Sequence, residues 1–220
     1  MNGGSITGNT AGNTAKEGGG IYSNGTIILV DGSIDHNGSS YGGGINVNSG
    51  TLTMNGGSIS DNQVLSGQPY SGTFRRGGGL FIKGTFTMNG GIIQNNSAEG
   101  GGGGIYCEVA TLTLTKGTIS GNSGSYGGAV YTDRTTFSMG SECTISNNSA
   151  KIVGGTSNHG GGIYVDKSST FTMDGGIVES NEADAGGGIY VAGEATCTIK
   201  TGCIIRNNDA ISGGGVCGSS

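Results

Sequence analysis

The residues with the most catalytic potential are acids that lie close to a base. Asp35 and His36 are adjacent, and Asp61 follows one repeat later; Glu179 and Arg206 are related in the same way. Two carboxyl groups with a nearby base are the minimum for acid–base chemistry. The 15 acidic residues would form such groupings by chance on stacked strands. We therefore predict that the protein is not an enzyme, with a polysaccharide lyase or hydrolase as an alternative.

Metal, cofactor and nucleic-acid sites are not expected either. The sequence has no C-x-x-C motif and its two histidines, His36 and His159, lie far apart, so we predict neither a metal nor a cofactor. Ten scattered basic residues and a net charge of −5 argue against nucleic acid. We expect free thiols that pack as small core residues at all five cysteines: Cys107, Cys143, Cys197, Cys203 and Cys217.

A column of aromatic residues is the first candidate for binding. It is formed by the residue that follows the Ile, Leu or Val of a recurrent "GGGIY" motif, and strand alternation should point it outward. An exposed aromatic stripe would stack on sugar rings or on a partner protein. The alternative is that the rings pair with each other or are covered by loops. The column reads Tyr22, Asn46, Phe81, Tyr106, Tyr131, Tyr164 and Tyr190.

Two insertions, at 63–76 and 149–160, extend this candidate site. Both follow the same repeat position, so they should emerge from one edge of the molecule. Binding residues are often carried on loops above a rigid scaffold, although tolerated variation of loop length explains the insertions equally well. We expect the loops to bracket a shallow groove above Tyr106 and Tyr131. The residues at its rims would be Tyr70, Arg75, Arg76 and His159.

Threonine pairs form a second outward column, as in "TFTM" at 85–88 and 170–173. Such a T-x-T grid, spaced about 6.6–7 Å along the strands and about 4.8 Å across them, resembles the ice-binding face of β-solenoid antifreeze proteins. The plain alternative is that threonine is a good outward strand residue, and Ile28 interrupts the grid in the first coil. Ice binding is therefore an alternative function.

These columns exist because the chain is a repeat. "GGGIY" or a variant is followed by T-x-T-M or a variant, and then by Ile or Val three residues before an Asn, always in this order. The shortest period is about 25 residues. The 51 glycines follow this period and lack the spacing of collagen, and the many β-branched residues argue against a disordered chain.

Short alternating motifs of this kind predict an all-β fold. Three strands of three to five residues, joined by turns, would make one coil, and each strand would pair with its counterpart in the next coil. We predict a single-stranded, right-handed parallel β-helix with three faces and about 8 coils of ~25 residues. The recurrent Asn suits a tight turn, because Asn tolerates the left-handed backbone conformation and bonds to nearby backbone, and stacked asparagines could bond to one another.

Coils reading "GGGIY…TFTMNGG.I..N" resemble the right-handed parallel β-helix repeats of large bacterial surface proteins, of the adhesin-like and polymorphic outer-membrane type. The hallmarks of that family are GGA[ILV] and FxxN; "GGAV" at 127–130 matches the first, while Ile or Val replaces Phe in the second. The resemblance implies an extracellular or cell-surface location. It also implies contact with glycans or with host or other cell-surface proteins, or a spacer role.

Both ends of the sequence fall inside a repeat. "MNGGSITGN" at 1–9 matches "MNGGSISDN" at 54–62, and the chain stops just after "GGGVCG". We expect residues 1–220 to be one β-helix domain cut from a longer repeat array. Any membrane attachment would come from parts of the parent protein outside this sequence.

Overall fold

A computed structural model describes residues 1–11, 18–64, 75–151 and 158–219, which coil into a parallel β-solenoid. All strand pairs run parallel, and each joins a residue to its counterpart one coil later. The largest sheet that is made from one strand per coil has eight strands, so the solenoid has eight coils. In the described residues no helix is long and apolar enough to span a membrane.

The first strand of each coil carries the "GGGIY" motif, and together these strands form what we call the tyrosine face. Its register aligns Tyr22 with Asn46, Asn46 with Phe81, and so on through Tyr190, as the repeat predicts. The strands are Ile21–Ser23, Ile45–Val47, Leu80–Ile82, Ile105–Glu108, Val130–Asp133, Ile163–Val165, Ile189–Val191 and Val216–Gly218.

The second and third strands share one 13-stranded sheet, because two long strands run through both positions. The T-x-T-M motifs form Thr26–Leu29, Thr51–Met54, Thr85–Met88, Thr170–Asp174 and Thr196–Ile199. The long strands are Thr111–Ser120 and Thr136–Ser146. The strands that end before the recurrent Asn are Asn2–Thr7, Asp31–Asp35, Ser58–Ser60, Ile92–Gln94, Ile177–Glu179 and Ile204–Arg206.

A fourth, short strand follows the recurrent Asn in most coils, and the three-strand prediction missed it. It forms a four-stranded and a two-stranded sheet, linked through single bridges at Ser149. These segments are too short and too polar to show alternation, which is why the sequence pattern hides them. They are Gly38–Ser39, Gln63–Val64, Ser97–Gly101, Ser123–Tyr126, Glu182–Ala185 and Asp209–Ser212.

Inward side chains stack into continuous columns that fill the solenoid. Phe137 and Phe171 are fully buried and stack with ring centroids 4.4 Å apart, and Cys197 takes the next place in their column. Other buried members include Leu29, Ile34, Ile45, Leu52, Met54, Ile59, Leu80, Ile82, Phe86 and Met88. Each coil covers the open end of its neighbour's core, so stability depends on stacking rather than on any single coil.

The recurrent asparagines form a hydrogen-bonded ladder along the whole solenoid, as predicted. Each Nδ2 donates to the Oδ1 of the next asparagine at 2.9–3.0 Å. The predicted left-handed turn is shifted by one residue, because the positive φ belongs to the residue before the asparagine, such as His36 or Asp61. We call Asn9, Asn37, Asn62, Asn96, Asn122, Asn148, Asn181 and Asn208 the asparagine ladder.

Close backbone approach explains the glycine triplets. A Cβ on Gly103, the middle residue of one triplet, would lie 2.3 Å from the carbonyl oxygen of Ser123 and 2.5 Å from that of Gly128. Its predecessor Gly102 has a φ of +65°, a conformation that other residues rarely adopt. The triplet thus lets the chain turn tightly into the tyrosine face while the next coil packs against it.

Candidate functional site

From Phe81 to Tyr190, the aromatic column of the tyrosine face is a continuous stack of rings. Successive centroids from Phe81 to Tyr190 lie 4.6–5.5 Å apart, with ring planes within 15° of parallel. The coil spacing of about 4.8 Å places the rings at this distance, so offset stacking follows from the register. We call Tyr22, Phe81, Tyr106, Tyr131, Tyr164 and Tyr190, with the gap at Asn46, the aromatic ladder.

The column is not a fully exposed stripe, and the alternative, in which the rings pair with each other or are covered, holds for most of them. Phe81, Tyr106 and Tyr190 are only 4%, 3% and 9% exposed, whereas Tyr22 is 44% exposed. Tyr131 and Tyr164 are half-buried. Most of the ladder therefore contributes to packing, and only part of it is accessible to a partner.

The rings are buried by the residue that precedes each glycine triplet. Each of these residues lies where the fourth strand of its coil ends. Its side chain packs over the aromatic ring of the next coil, on the tyrosine face. Arg76 places its guanidinium carbon 4.8 Å from the ring centroid of Tyr106, and His159 stacks on Tyr190 at 4.3 Å. We call this set the cover column: Tyr41, Arg76, Gly101, Tyr126, His159, Ala185 and Ser212.

One member of the cover column has no side chain, and this leaves Tyr131 accessible. A Cβ on Gly101 would touch the Tyr131 ring at 3.0 Å and the Tyr106 ring at 3.3 Å. Beyond it, Tyr126 packs edge-on against Tyr164 at 5.5 Å but is itself 38% exposed. Apart from Tyr22 at the start of the ladder, the accessible aromatic surface is therefore concentrated around Tyr131, Tyr164 and Tyr126.

The residue two positions after each of these strand tyrosines is polar, and strand alternation places it on the same outward side as the ring. Asp133 and Asp166 lie beside Tyr131 and Tyr164, and the Tyr131 hydroxyl donates a hydrogen bond to Asp166 Oδ2. Burial, together with this hydrogen bond, raises the pKa of Tyr131, so its hydroxyl stays protonated. Rings with carboxylate acceptors beside them match the mixture of apolar and hydroxyl groups on a sugar.

A cluster of charges continues this border toward the start of the chain. Glu108 accepts a hydrogen bond from Arg76 at 3.2 Å and pairs with Lys83 at 3.3 Å and with Arg134 at 3.6 Å. Arg134 is also paired with Asp133 at 2.8 Å. Lys83 and Glu108 are not among the residues predicted from the sequence, although each follows a ring position by two residues, and strand alternation places such residues on the same side as the ring.

The aromatic ladder is broken at Asn46, and a cavity opens there. Asn46 is 1% exposed, yet its Oδ1 has no hydrogen-bond partner among the described residues. Leaving a buried acceptor unpaired costs about 1–3 kcal/mol. The cavity has a volume of about 160 Å³ and is lined by Tyr41, Asn46, Asn48, Arg76, Phe81, Lys83 and Glu108.

The described ends of the two insertions lead into one edge, but of the two rings expected under the groove only Tyr131 is accessible. Arg76 lies over Tyr106 and closes that position, and Arg75 pairs with Glu99. His159 covers Tyr190 rather than bordering Tyr131. Tyr70 lies outside the described residues, as do 65–74 and 152–157 of the insertions.

The acid–base groupings are brought together as expected. His36 Nδ1 is 2.9 Å from Asp35 Oδ1, and Asp35 also accepts a hydrogen bond from Thr7. These bonds, that of Thr7 most of all, lower the pKa of Asp35 to about 2. Glu179 accepts from Arg206 Nε at 2.7 Å. The hydrogen bonds to Asp35 thus favour its ionised form, and an acid held ionised is a poor proton donor near neutral pH.

The threonine pairs line up across the coils as predicted, and some are bonded to each other. Thr51 Oγ1 donates to Thr26 Oγ1 at 3.3 Å, and Thr87 is aligned with Thr53 and Thr113. Ice binding by this grid stays a prediction. The five cysteines are free thiols, and burial raises the pKa of Cys143 to about 11. Across the described ranges, no three His, Cys, Asp or Glu residues are grouped to hold a metal ion.

The sequence of this all-strand solenoid matches the model of a known protein family. The family model described as "Right handed beta helix region" matches residues 70–210, which is more than half of the chain. The chain belongs to this right-handed β-helix family. No curated protein and no solved structure matches the chain. The β-helix family accounts for the coil and its handedness, and functions differ among proteins that share a fold.

Proposed function

We propose that this β-helix is a non-enzymatic, extracellular segment of a bacterial surface protein that contacts glycans through the uncovered part of its aromatic ladder. The observation that supports this most directly is the gap in the cover column at Gly101, which leaves Tyr131 accessible beside Tyr164. Sugar rings stack on such aromatic faces, and the neighbouring Asp133 and Asp166 can accept hydrogen bonds from sugar hydroxyls.

A rigid scaffold makes a weak contact of this kind more effective. The Tyr131 and Tyr164 rings are stacked at 4.9 Å, and the Tyr131 hydroxyl is held by Asp166. Rings that are already fixed lose little conformational freedom when a glycan binds. A host protein or another cell-surface protein could use the same surface, and a purely structural spacer is the alternative if it contacts nothing.

The test is a glycan array followed by titration of any ligand found. Tyr164→Ala should weaken binding by about tenfold or more, the equivalent of about 1.4 kcal/mol. Thr113→Tyr, which adds a ring on a different face, should leave binding unchanged. If no glycan binds the β-helix, or if both variants bind as well as the original, glycan contact through these rings is overturned, and the spacer role replaces it when no cell surface binds the protein either.

The proposal of no catalysis is tested separately. Polygalacturonate, alginate and neutral glycans should release no new reducing or unsaturated ends, with or without calcium. Measurable turnover that disappears in Asp61→Ala would overturn it, because Asp61 and Asp35 provide the carboxyl pair nearest to His36.

A further inference from the structure

The break in the aromatic ladder has the size of one ring. Each position of the ladder from Phe81 to Tyr190 holds a ring, whereas the position aligned with Phe81 in the preceding coil holds Asn46. Tyr41 meets Phe81 only edge-on, with a centroid distance of 5.2 Å and an interplanar angle of 74°. The resulting cavity of about 160 Å³ is close to the ~150 Å³ that holds a benzene-sized molecule.

The polar groups that line the cavity include an unpaired acceptor and carry more positive than negative charge. Asn46 Oδ1 is buried and has no partner in the described part of the chain, so it can accept a hydrogen bond from a donor placed in the cavity. Two cations, Arg76 and Lys83, line the cavity against one carboxylate, Glu108, which both of them share at 3.2 and 3.3 Å. An additional negative charge would therefore be attracted there.

We propose that this cavity binds a single six-membered ring that carries one carboxylate. The ring fills the vacant step of the ladder against Phe81, a hydroxyl or other donor on it pairs with Asn46 Oδ1, and its carboxylate contacts Arg76 and Lys83. A hexuronate unit of a glycan and a free aromatic acid share this chemistry. The site is distinct from the rings of Tyr131 and Tyr164, so it stands or falls independently of the glycan surface proposed above.

The first experiment compares matched probes by calorimetric titration. Glucuronate is compared with glucose, and benzoate with benzamide, because each pair shares a ring and differs in charge. We expect a Kd of about 1 mM for at least one acid and about tenfold weaker binding of its neutral partner. Equal affinity for acid and neutral probe overturns the carboxylate contact, and failure of both acids to bind overturns the site.

The second experiment tests the location with variants. Asn46→Tyr places a ring of the protein's own in the gap, as in the neighbouring coils, and should abolish binding without lowering thermal stability. Lys83→Gln keeps most of the side-chain length, removes one charge and should weaken binding of the acid by about tenfold or more, as expected for loss of a hydrogen bond to a charged group. Thr113→Tyr serves as the control and should bind normally. Unchanged binding in both pocket variants would overturn the assignment.

The two probe pairs also separate the sources of the ligand. Binding of glucuronate supports the site and identifies a sugar acid as its natural class. Binding of benzoate alone supports the site as one for aromatic acids. In that case the glycan-array experiment on Tyr164→Ala still decides the proposed function on its own.

Discussion

The asparagine ladder and the aromatic ladder both run along the solenoid, yet one is unbroken and the other is not. Each asparagine repeats the same bonds at 2.9–3.0 Å from Asn9 to Asn208. The aromatic ladder lacks a ring at Asn46, is covered over Phe81 and Tyr106, and is accessible at Tyr131. Uniform columns maintain the scaffold, and the irregular column is where a surface can be specialised without loss of the coil.

The largest effect is expected inside the asparagine ladder. In Asn122→Ala, the backbone N–H and Nδ2 of Asn96 lose their shared acceptor, and the Ile93 carbonyl loses a donor. Because several buried groups are left unpaired, the free energy of unfolding should fall by about 3–5 kcal/mol in a urea titration. Asn89→Ala, which removes an exposed asparagine pair with Asn55, is the matched control and should cost less than about 0.5 kcal/mol. Similar losses in the two variants would contradict the ladder's structural role.

The next largest effect distinguishes covered from uncovered rings. Tyr106→Ala removes a ring packed between Phe81 and Tyr131 beneath Arg76, and should cost about 3 kcal/mol. Tyr22→Ala removes a ring that is already 44% exposed and should cost less than about 1 kcal/mol. Urea titration of both variants measures the difference. Equal costs would mean that burial does not determine the energetics of this ladder.

A smaller effect of opposite sign is expected at the gap. Asn46→Tyr removes a buried unpaired acceptor and adds a ring next to Phe81, so it should raise the free energy of unfolding by about 0.5–1.5 kcal/mol. Asn24→Tyr, at an exposed position on the same face, should change it by less than about 0.5 kcal/mol. Destabilisation by Asn46→Tyr would show that the gap cannot hold a ring.

The smallest effect is a pH dependence at the cover column. Burial against Tyr190 lowers the pKa of His159 below its ordinary value of 6.5, and Asp184 only partly offsets this. The unfolded chain therefore binds more protons in the window just below pH 6.5, so the contribution of His159 is complete above that pH and is lost as the pH falls. The melting temperature of His159→Phe, which keeps a ring on Tyr190, should fall less between pH 7.5 and 5.5 than that of the original protein. Parallel curves would exclude His159 as the source.

A titration of opposite sense at His36 provides an internal check. Its hydrogen bond to Asp35 raises the pKa of His36, so its contribution is complete below pH 6.5 and is lost as the pH rises through the folded-state pKa. His36→Gln should therefore make the acid-side loss of stability more pronounced. The same measurement thus separates the covered histidine from the exposed one.

Much of the architecture was determined by the sequence alone, because one pattern recurs in every coil. The period, the three main strands, the register of Tyr22 with Asn46 and Phe81, and the hydrogen-bonded asparagines all follow from a repeated motif whose copies must stack. The match of Cys197 to Phe171 also follows from it. Each of these features depends only on the alignment of one coil with the next.

The burial of the tyrosine face was decided by tertiary structure. Alternation shows on which side of its own strand Tyr106 lies, but it carries no information about another segment that crosses that side. The fourth strand shows no alternation in the sequence. It is nevertheless the element that brings Arg76 and His159 over the rings, and its Gly101 has no side chain to cover Tyr131. The cavity at Asn46 likewise depends on which side chains lean over the gap, because its walls come from three different coils.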